Sequence, residues 1–178
     1  SEVYFENVTV PADALIGDAD GGLALVERVA DEATAALCAE AVGAMSVANK
    51  QTVDYSQQRK QFGQPIGKFQ VLQHRMVDMF IEHEQSLSMT YMATLKLDED
   101  ETTRKKAVSG AKVRIGQAGR FVGQAAIQIH GGMGMTEELA IGHYFKRLTM
   151  IDHEFGNVDH HLKRYTQLSA EELPAAAE

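Results

Sequence analysis

The chain lacks most of the features that would place it outside a reducing, water-filled compartment. Cys38 is its one cysteine in 178 residues, so no internal disulfide can form and a cytoplasmic setting is expected. No apolar run is long enough to cross a bilayer, and residues 1–20 lack the basic start and apolar block of a secretory signal. No membrane partner is therefore expected. Positive charge is scarce: 17 Lys and Arg against 25 Asp and Glu leave a formal charge of −8, which argues against a basic face for nucleic acid. No Glu-x-x-His occurs, although four-helix bundles build di-iron sites from that pairing. Adjacent His160 and His161 splay by about 100° on a helix, so the run Asp152, His153, Glu154, Asp159, His160 and His161 reads as a polar turn or subunit contact, and no metal is expected. There is no internal repeat.

What is present is helical periodicity. With 44% apolar and 24% charged residues, the composition is that of an ordinary globular domain with one sizeable core. From Gly22 to about Tyr55 the residues Leu25, Val29, Ala33, Leu37, Ala41 and Met45 recur every fourth position, the stripe of a long helix. Pro65 and Gly67 interrupt the pattern. Phe69, Leu72, Met76, Met79, His83, Leu87, Tyr91 and Leu95 then begin a second helix, on which His74 and His83 read as packing residues. The acidic run from Asp98 to Glu101, with Thr102 and Thr103 behind it, predicts a loop feeding a capped start. Val108, Ala111, Ile115, Ala118, Val122, Ala125 and Ile129 alternate spacings of three and four, a bundle seam. Gly110, Gly116, Gly119 and Gly123 share that third helix, and close packing is the expected compensation for their low helix propensity.

A fourth helix from Glu137 to about Met150 and a short fifth from Asn157 to Gln167 complete the pattern. Period-two alternation is confined to a short leading strand near Tyr4 to Val8. The fold expected is thus an all-α up-and-down four-helix bundle over 22–168, with a short leading strand and a short C-terminal helix. Residues 169–178, including Pro174, are expected to form a flexible tail.

Two segments offer chemistry. Gln128-Ile129-His130-Gly131-Gly132-Met133-Gly134-Met135-Thr136 puts three glycines between helical patterns, with Thr136 placed to cap the helix that follows. Free N–H groups reached through glycine make a seat for phosphate. His130 there either faces a ligand or bonds a backbone carbonyl. Arg59, before the Phe62-Gly63 turn, carries a forked guanidinium suited to a phosphate pair. From the residues alone the plainer reading is that Arg59 is a surface charge at a helix end and Gln70 an exposed polar residue.

Together with Phe69 to Met79, and with the opening Val3-Tyr4-Phe5-Glu6-Asn7-Val8-Thr9-Val10-Pro11 and Leu15-Ile16-Gly17, these segments resemble the flavin-dependent acyl-CoA dehydrogenases. The resemblance runs from the start to about Arg164. It implies that residues 1–21 are the end of the family's middle β domain and a linker, and that the rest is the helical C-terminal domain. It further implies FAD as cofactor, held by Arg59, Phe62, Gln70, Gln128, His130, Gly131 and Gly132, partly across a subunit boundary. The implied partners are an acyl-CoA substrate, an electron-transfer flavoprotein, and a homotetramer or heterotetramer with a sister subunit.

The family abstracts the α proton with a glutamate, often in a Tyr-Glu-Gly-Thr segment; here Glu154-Phe155-Gly156-Asn157 stands in its place, so the base position falls on Phe155. Other members draw the base from the first helix, at a place that falls on Ala33, near Asp31, Glu32, Thr34 and Glu40. Glu154 is the remaining candidate. The substitution, and the ending Phe155 to Leu162, resemble the small subunit of heteromeric enzymes of the pimeloyl-CoA dehydrogenase type, in which a partner supplies the base. A homotetramer using Glu154, an acyl-CoA oxidase or flavin hydroxylase of the same architecture, and an inactive assembly module are the alternatives. By itself the chain is expected to be catalytically inactive and to hold FAD weakly or not at all.

Overall fold

The computed structural model describes residues 2–171. Its helices are α1 Gly22–Gln58, α2 Gln70–Leu95, α3 Glu101–His130, α4 Ile141–His153 and α5 Val158–Glu171. α3 packs against each of the other four and α1 against α2 and α4, which is the expected bundle. Two-residue strands β1 Lys60–Gln61 and β2 Gln64–Pro65 pair antiparallel between α1 and α2.

The seam of α3 is buried at all seven predicted positions, from Val108 to Ile129. Its glycines are there for contact. A Cβ on Gly116 would lie 2.5 Å from Val158 Cγ2, and one on Gly123 would lie 2.8 Å from Phe145 Cδ2, so α4 and α5 approach only because those atoms are missing. Asp100 caps the helix, its carboxylate accepting from the Thr103 N–H at 3.0 Å.

On α1 the buried row differs from the predicted one. Strict every-fourth spacing drifts by about 40° per step from a 3.6-residue period, and Leu25 and Val29 are carried out to the surface. The row that faces the core is Asp31, Thr34, Cys38, Ala41, Met45, Ala48 and Thr52, alternating three and four. On α2, Met79, Ser86, Thr90 and Ala93 are buried while Tyr91 and Leu95 are exposed. Thr52, Ser86 and Thr90 donate to the carbonyl four residues back at 2.7, 2.7 and 2.8 Å, which removes the penalty of burying a hydroxyl where helices come close.

Three boundaries also move. Residues 4–8 form no strand: a ladder needs a second strand to receive its N–H and C=O groups, none lies beside them among the described residues, and they are exposed. α4 starts at Ile141 instead of Glu137, because the Thr136 hydroxyl donates back to the Met133 carbonyl at 2.9 Å and closes the 3-10 turn Gly131–Met135. Thr136 therefore seals that turn and does not cap α4, whose first turn follows Ala140 without a side-chain cap. Residues 169–171, expected in the tail, belong to α5; the remainder of that tail, 172–178 with Pro174, lies outside the described residues.

Candidate functional site

One end of the bundle gathers the arginine turn and the glycine corner. Tyr55, in the last turn of α1, stacks on His130 at the end of α3, ring centroids 4.3 Å apart, and its hydroxyl donates to the His130 carbonyl at 3.3 Å. Four residues on, Arg59 caps α1 and accepts at its carbonyl the Ile66 N–H at 2.8 Å, which folds the hairpin back. Phe62 and Gly63 both have positive φ, 53° and 79°, the requirement of a tight two-residue hairpin turn. Phe62 is held out at 90% exposure with its ring edge-on to Phe69. Gln70 is the exposed first residue of α2.

Across from this turn, Gly131 adopts φ 60° and ψ −139°, a conformation open essentially to glycine alone. A Cβ on Gly132 would meet nothing within 4 Å and its φ is ordinary, so no packing inside the chain requires glycine there. Gln128, Gly131 and Gly132 are exposed. The Arg59 guanidinium is exposed and has no ion pair or hydrogen bond among the described residues. This end of the bundle thus carries an exposed forked cation, two exposed carboxamides, an exposed aromatic ring and two exposed glycines, although the Gly131 N–H itself is spent on the Gln128 and Ile127 carbonyls; a free guanidinium is a group of the kind that pairs with phosphate.

His130 is set apart from that surface. It is 4% exposed, and its Nδ1 bonds the Ala126 carbonyl at 2.8 Å. Burial pushes its pKa below the usual histidine value. Of the two readings the sequence left open, backbone bonding is the one observed, and the ring's role is to join α1 to α3.

The corner between α4 and α5 holds a second constellation. Phe155 and Gly156 have φ of 54° and 102°, and the corner is gripped from below. Lys112, fully buried on α3, donates to the carbonyls of Asp152, Glu154 and Gly156 at 3.1, 2.9 and 2.6 Å. His161 bonds the Phe155 carbonyl through Nε2 at 3.1 Å and Ser109 through Nδ1 at 3.2 Å. Burial lowers the Lys112 pKa, and burial followed by the Lys112 charge pushes His161 down to about 4. Asp31, 2% exposed, accepts from Arg104 Nε at 3.1 Å and Arg164 at 2.7 Å. Over this network lies an open cavity of about 440 Å³ whose walls include Ala30, Asp31, Thr34, Phe155, His160 and Arg164.

Glu154 does not line the cavity. Its carboxylate accepts from Arg147 at 2.8 Å, and Arg147 also clamps Glu40 on α1 with two bonds of 2.5 and 2.8 Å. The Arg147 bond holds Glu40 below the usual carboxylate pKa. Ala33 is half-buried on α1, beside the cavity-lining Thr34. Sequence reasoning missed Lys112 and the Asp31 pair of arginines. A signal existed: Lys112 sits four after Val108 and three before Ile115, on the seam itself, where an ion is admitted only with partners. Among the described residues no three His, Cys, Asp or Glu side chains are grouped to hold a metal ion, and no helix is long and apolar enough to cross a membrane.

Comparison with known proteins gives a consistent match. The family model for the acyl-CoA dehydrogenase C-terminal domain covers residues 20–164. The short-chain specific acyl-CoA dehydrogenase of Megasphaera elsdenii is 31% identical over 145 residues, 82% of this chain and 38% of that protein. Among solved structures, PigA with FAD and proline superposes with a TM-score of 0.86 at 27% identity, covering 93% of this chain and 43% of that one. The ChsE4–ChsE5 complex of Mycobacterium tuberculosis superposes with a TM-score of 0.82 at 25% identity, covering 93% and 44%. The chain thus spans about two fifths of the length of the relatives it matches.

Proposed function

The chain belongs to the acyl-CoA dehydrogenase family, matching its C-terminal domain, and from that premise we propose that it is the helical, diphosphate-gripping part of a longer FAD-dependent enzyme that desaturates an acyl-CoA thioester between Cα and Cβ. The observation that carries this reading is the exposed Arg59 guanidinium, without a partner among the described residues, on the same bundle end as the open Gly131-Gly132 backbone. Arg59 would hold the diphosphate, Gly132 would let the cofactor approach the backbone closely, Gln70 and Gln128 would bond neighbouring polar groups, and Phe62 would cover an apolar face. FAD, when bound, supplies the acceptor for the β hydrogen.

The α4–α5 corner would receive the reacting end of the thioester. Asp31 lies 28 residues before Arg59, the residue that caps the C-terminus of α1, about 40 Å at 1.5 Å per residue, which is longer than an extended FAD. One flavin would therefore join a gripping end and a corner cavity only across two chains, so assembly is part of the function. The isolated chain is inactive on this reading and holds FAD weakly. An electron-transfer flavoprotein takes the electrons.

Phe155 at the family's base position favours one refinement, a heteromeric assembly in which a sister subunit carries the carboxylate; the likeness to the ChsE4–ChsE5 complex supports it. In a homomeric assembly Glu154, one residue away, would be the nearest carboxylate of this chain, and it would first have to leave Arg147.

Flavin content of the full-length protein, alone and co-expressed with its sister subunit, tests the reading. Gly132→Ala adds a methyl group that clashes with nothing inside the chain, since no atom lies within 4 Å of a Cβ there. It and Arg59→Ala are expected to lower FAD affinity by about 10-fold or more, the loss of one charge-assisted contact or of close backbone approach. Unchanged flavin occupancy in both variants would reject the assignment.

A further inference from the structure

The cavity over the α4–α5 corner contains several titratable groups, and all but one of the bases among them are already engaged. Asp31 is held by Arg104 and Arg164. Glu27 pairs with Lys105 at 2.9 Å. His161 spends both ring nitrogens on Ser109 and the Phe155 carbonyl. Glu154 lies outside, on Arg147. Arg164 is spent on Asp31, and Lys163 is an ammonium donor with no acceptor lone pair.

His160 is the exception. Its N–H is fixed by the Asn157 carboxamide at 3.0 Å, which sets the first turn of α5. Its ring stands edge-on to His161, centroids 5.0 Å apart. A Cβ on Gly156 would come 2.5 Å from the His160 Cδ2, so the imidazole lies directly over the glycine next to Phe155. Neither ring nitrogen has a hydrogen-bond partner among the described residues, and the residue is exposed to the cavity.

The geometry points to His160 as the proton acceptor of this cavity, in the place that the missing carboxylate of residue 155 leaves open. This rests on the acyl-CoA reading given above. The step is a proton transfer: the Cα–H bond breaks, the proton goes to an imidazole nitrogen, and the electron pair passes onto the thioester carbonyl as an enolate. Nothing is oxidised in it. An imidazole with a free ring nitrogen can accept a proton, and the charges and titratable groups around it are Glu27 and Asp31 on α1 and His161, Lys163 and Arg164 on α5.

The test uses the full-length flavoprotein, with any co-purifying sister subunit carrying Gln in place of its own base carboxylate, and a panel of 3-thiaacyl-CoA thioesters from short to long chain. These retain an acidic α proton and release no β hydride. Binding is measured by equilibrium dialysis, and α-proton exchange with D2O by mass spectrometry. The expected result is exchange in the wild type that falls by about 100-fold or more in His160→Gln, with binding retained. If no thioester in the panel binds, the acyl-CoA reading fails and the inference falls with it. Binding with exchange that survives His160→Gln, or that is lost instead in Glu154→Gln, overturns the inference alone. So does binding without any exchange in the wild type.

Discussion

Tyr55 and His130 lie stacked with their planes 27° apart, a contact between the end of α1 and the end of α3 that places the arginine turn and the glycine corner at the same end of the bundle. Tyr55→Ala is expected to destabilise the protein by roughly 2 kcal/mol, the loss of a half-buried aromatic ring. Tyr55→Phe keeps the stack and loses only the 3.3 Å hydroxyl bond, a cost of about 1 kcal/mol or less. Urea unfolding of the two variants separates ring from hydroxyl; equal losses would show that the stack contributes nothing.

The buried cluster around Asp31 predicts an asymmetric response. Asp31→Ala leaves the Arg104 guanidinium, 9% exposed, without its carboxylate, and a loss of about 3 kcal/mol is expected for stranding one side of a buried ion pair. Arg28→Ala removes pairs to Glu32 and to Asp98, which is 96% exposed, and is expected to cost far less, because water screens both pairs. Comparable midpoints for the two variants in denaturant would contradict the assignment of Asp31 to the core.

Glycines that look alike in sequence should respond with opposite sign. Gly43 lies inside α1 with nothing within 4 Å of a Cβ, so Gly43→Ala is expected to stabilise by up to about 1 kcal/mol through helix propensity. Gly116→Ala drives a methyl group onto Val158 and Asp152 and is expected to destabilise by about 1–3 kcal/mol. Thermal unfolding reads both, and a stabilising Gly116→Ala would mean that α5 does not sit where it is described.

His161 sets an acid limit. Its pKa falls from 6.5 to about 4 on folding, chiefly because burial disfavours the charged ring. Between those values the unfolded chain binds a proton that the folded chain refuses, so stability falls as pH drops from 6.5 towards 4, by at most about 1.4 kcal/mol per pH unit for this one proton. His130 shifts in the same direction. Unfolding free energy measured across that range should show a smaller slope in His161→Gln; an unaltered slope would assign the acid sensitivity to other groups.

The seam of α3 was readable because seven apolar residues in a three-four alternation can face only one way on a helix. α1 and α2 misled because several of their core positions are Thr and Ser, which a hydrophobicity pattern counts as surface. Their hydroxyls are satisfied by the helix's own carbonyls, a bond that exists only once the helix does. Thr136 misled in a related way, since a hydroxyl that is free to cap forward can equally close the turn behind it. Arg59, Phe62, Gln70, Gln128, Gly131 and Gly132 were nameable as a set from two local motifs. That His130 turns inward while they face out follows from the ring of Tyr55, 75 residues away.

By itself, then, the sequence determined the helices, the seam of α3 and the residues of the two motifs, all properties of local spacing and residue type. Only tertiary structure decided that the ends of α1 and α3 meet, that Lys112 is caged by three carbonyls of a corner 40 or more residues ahead, and that Glu154 is tied to Arg147 while the His160 ring is left without a hydrogen-bond partner among the described residues. The reason is that burying a charge, or leaving one free, is settled by which groups other segments bring within hydrogen-bond distance, and spacing along one segment carries no record of that.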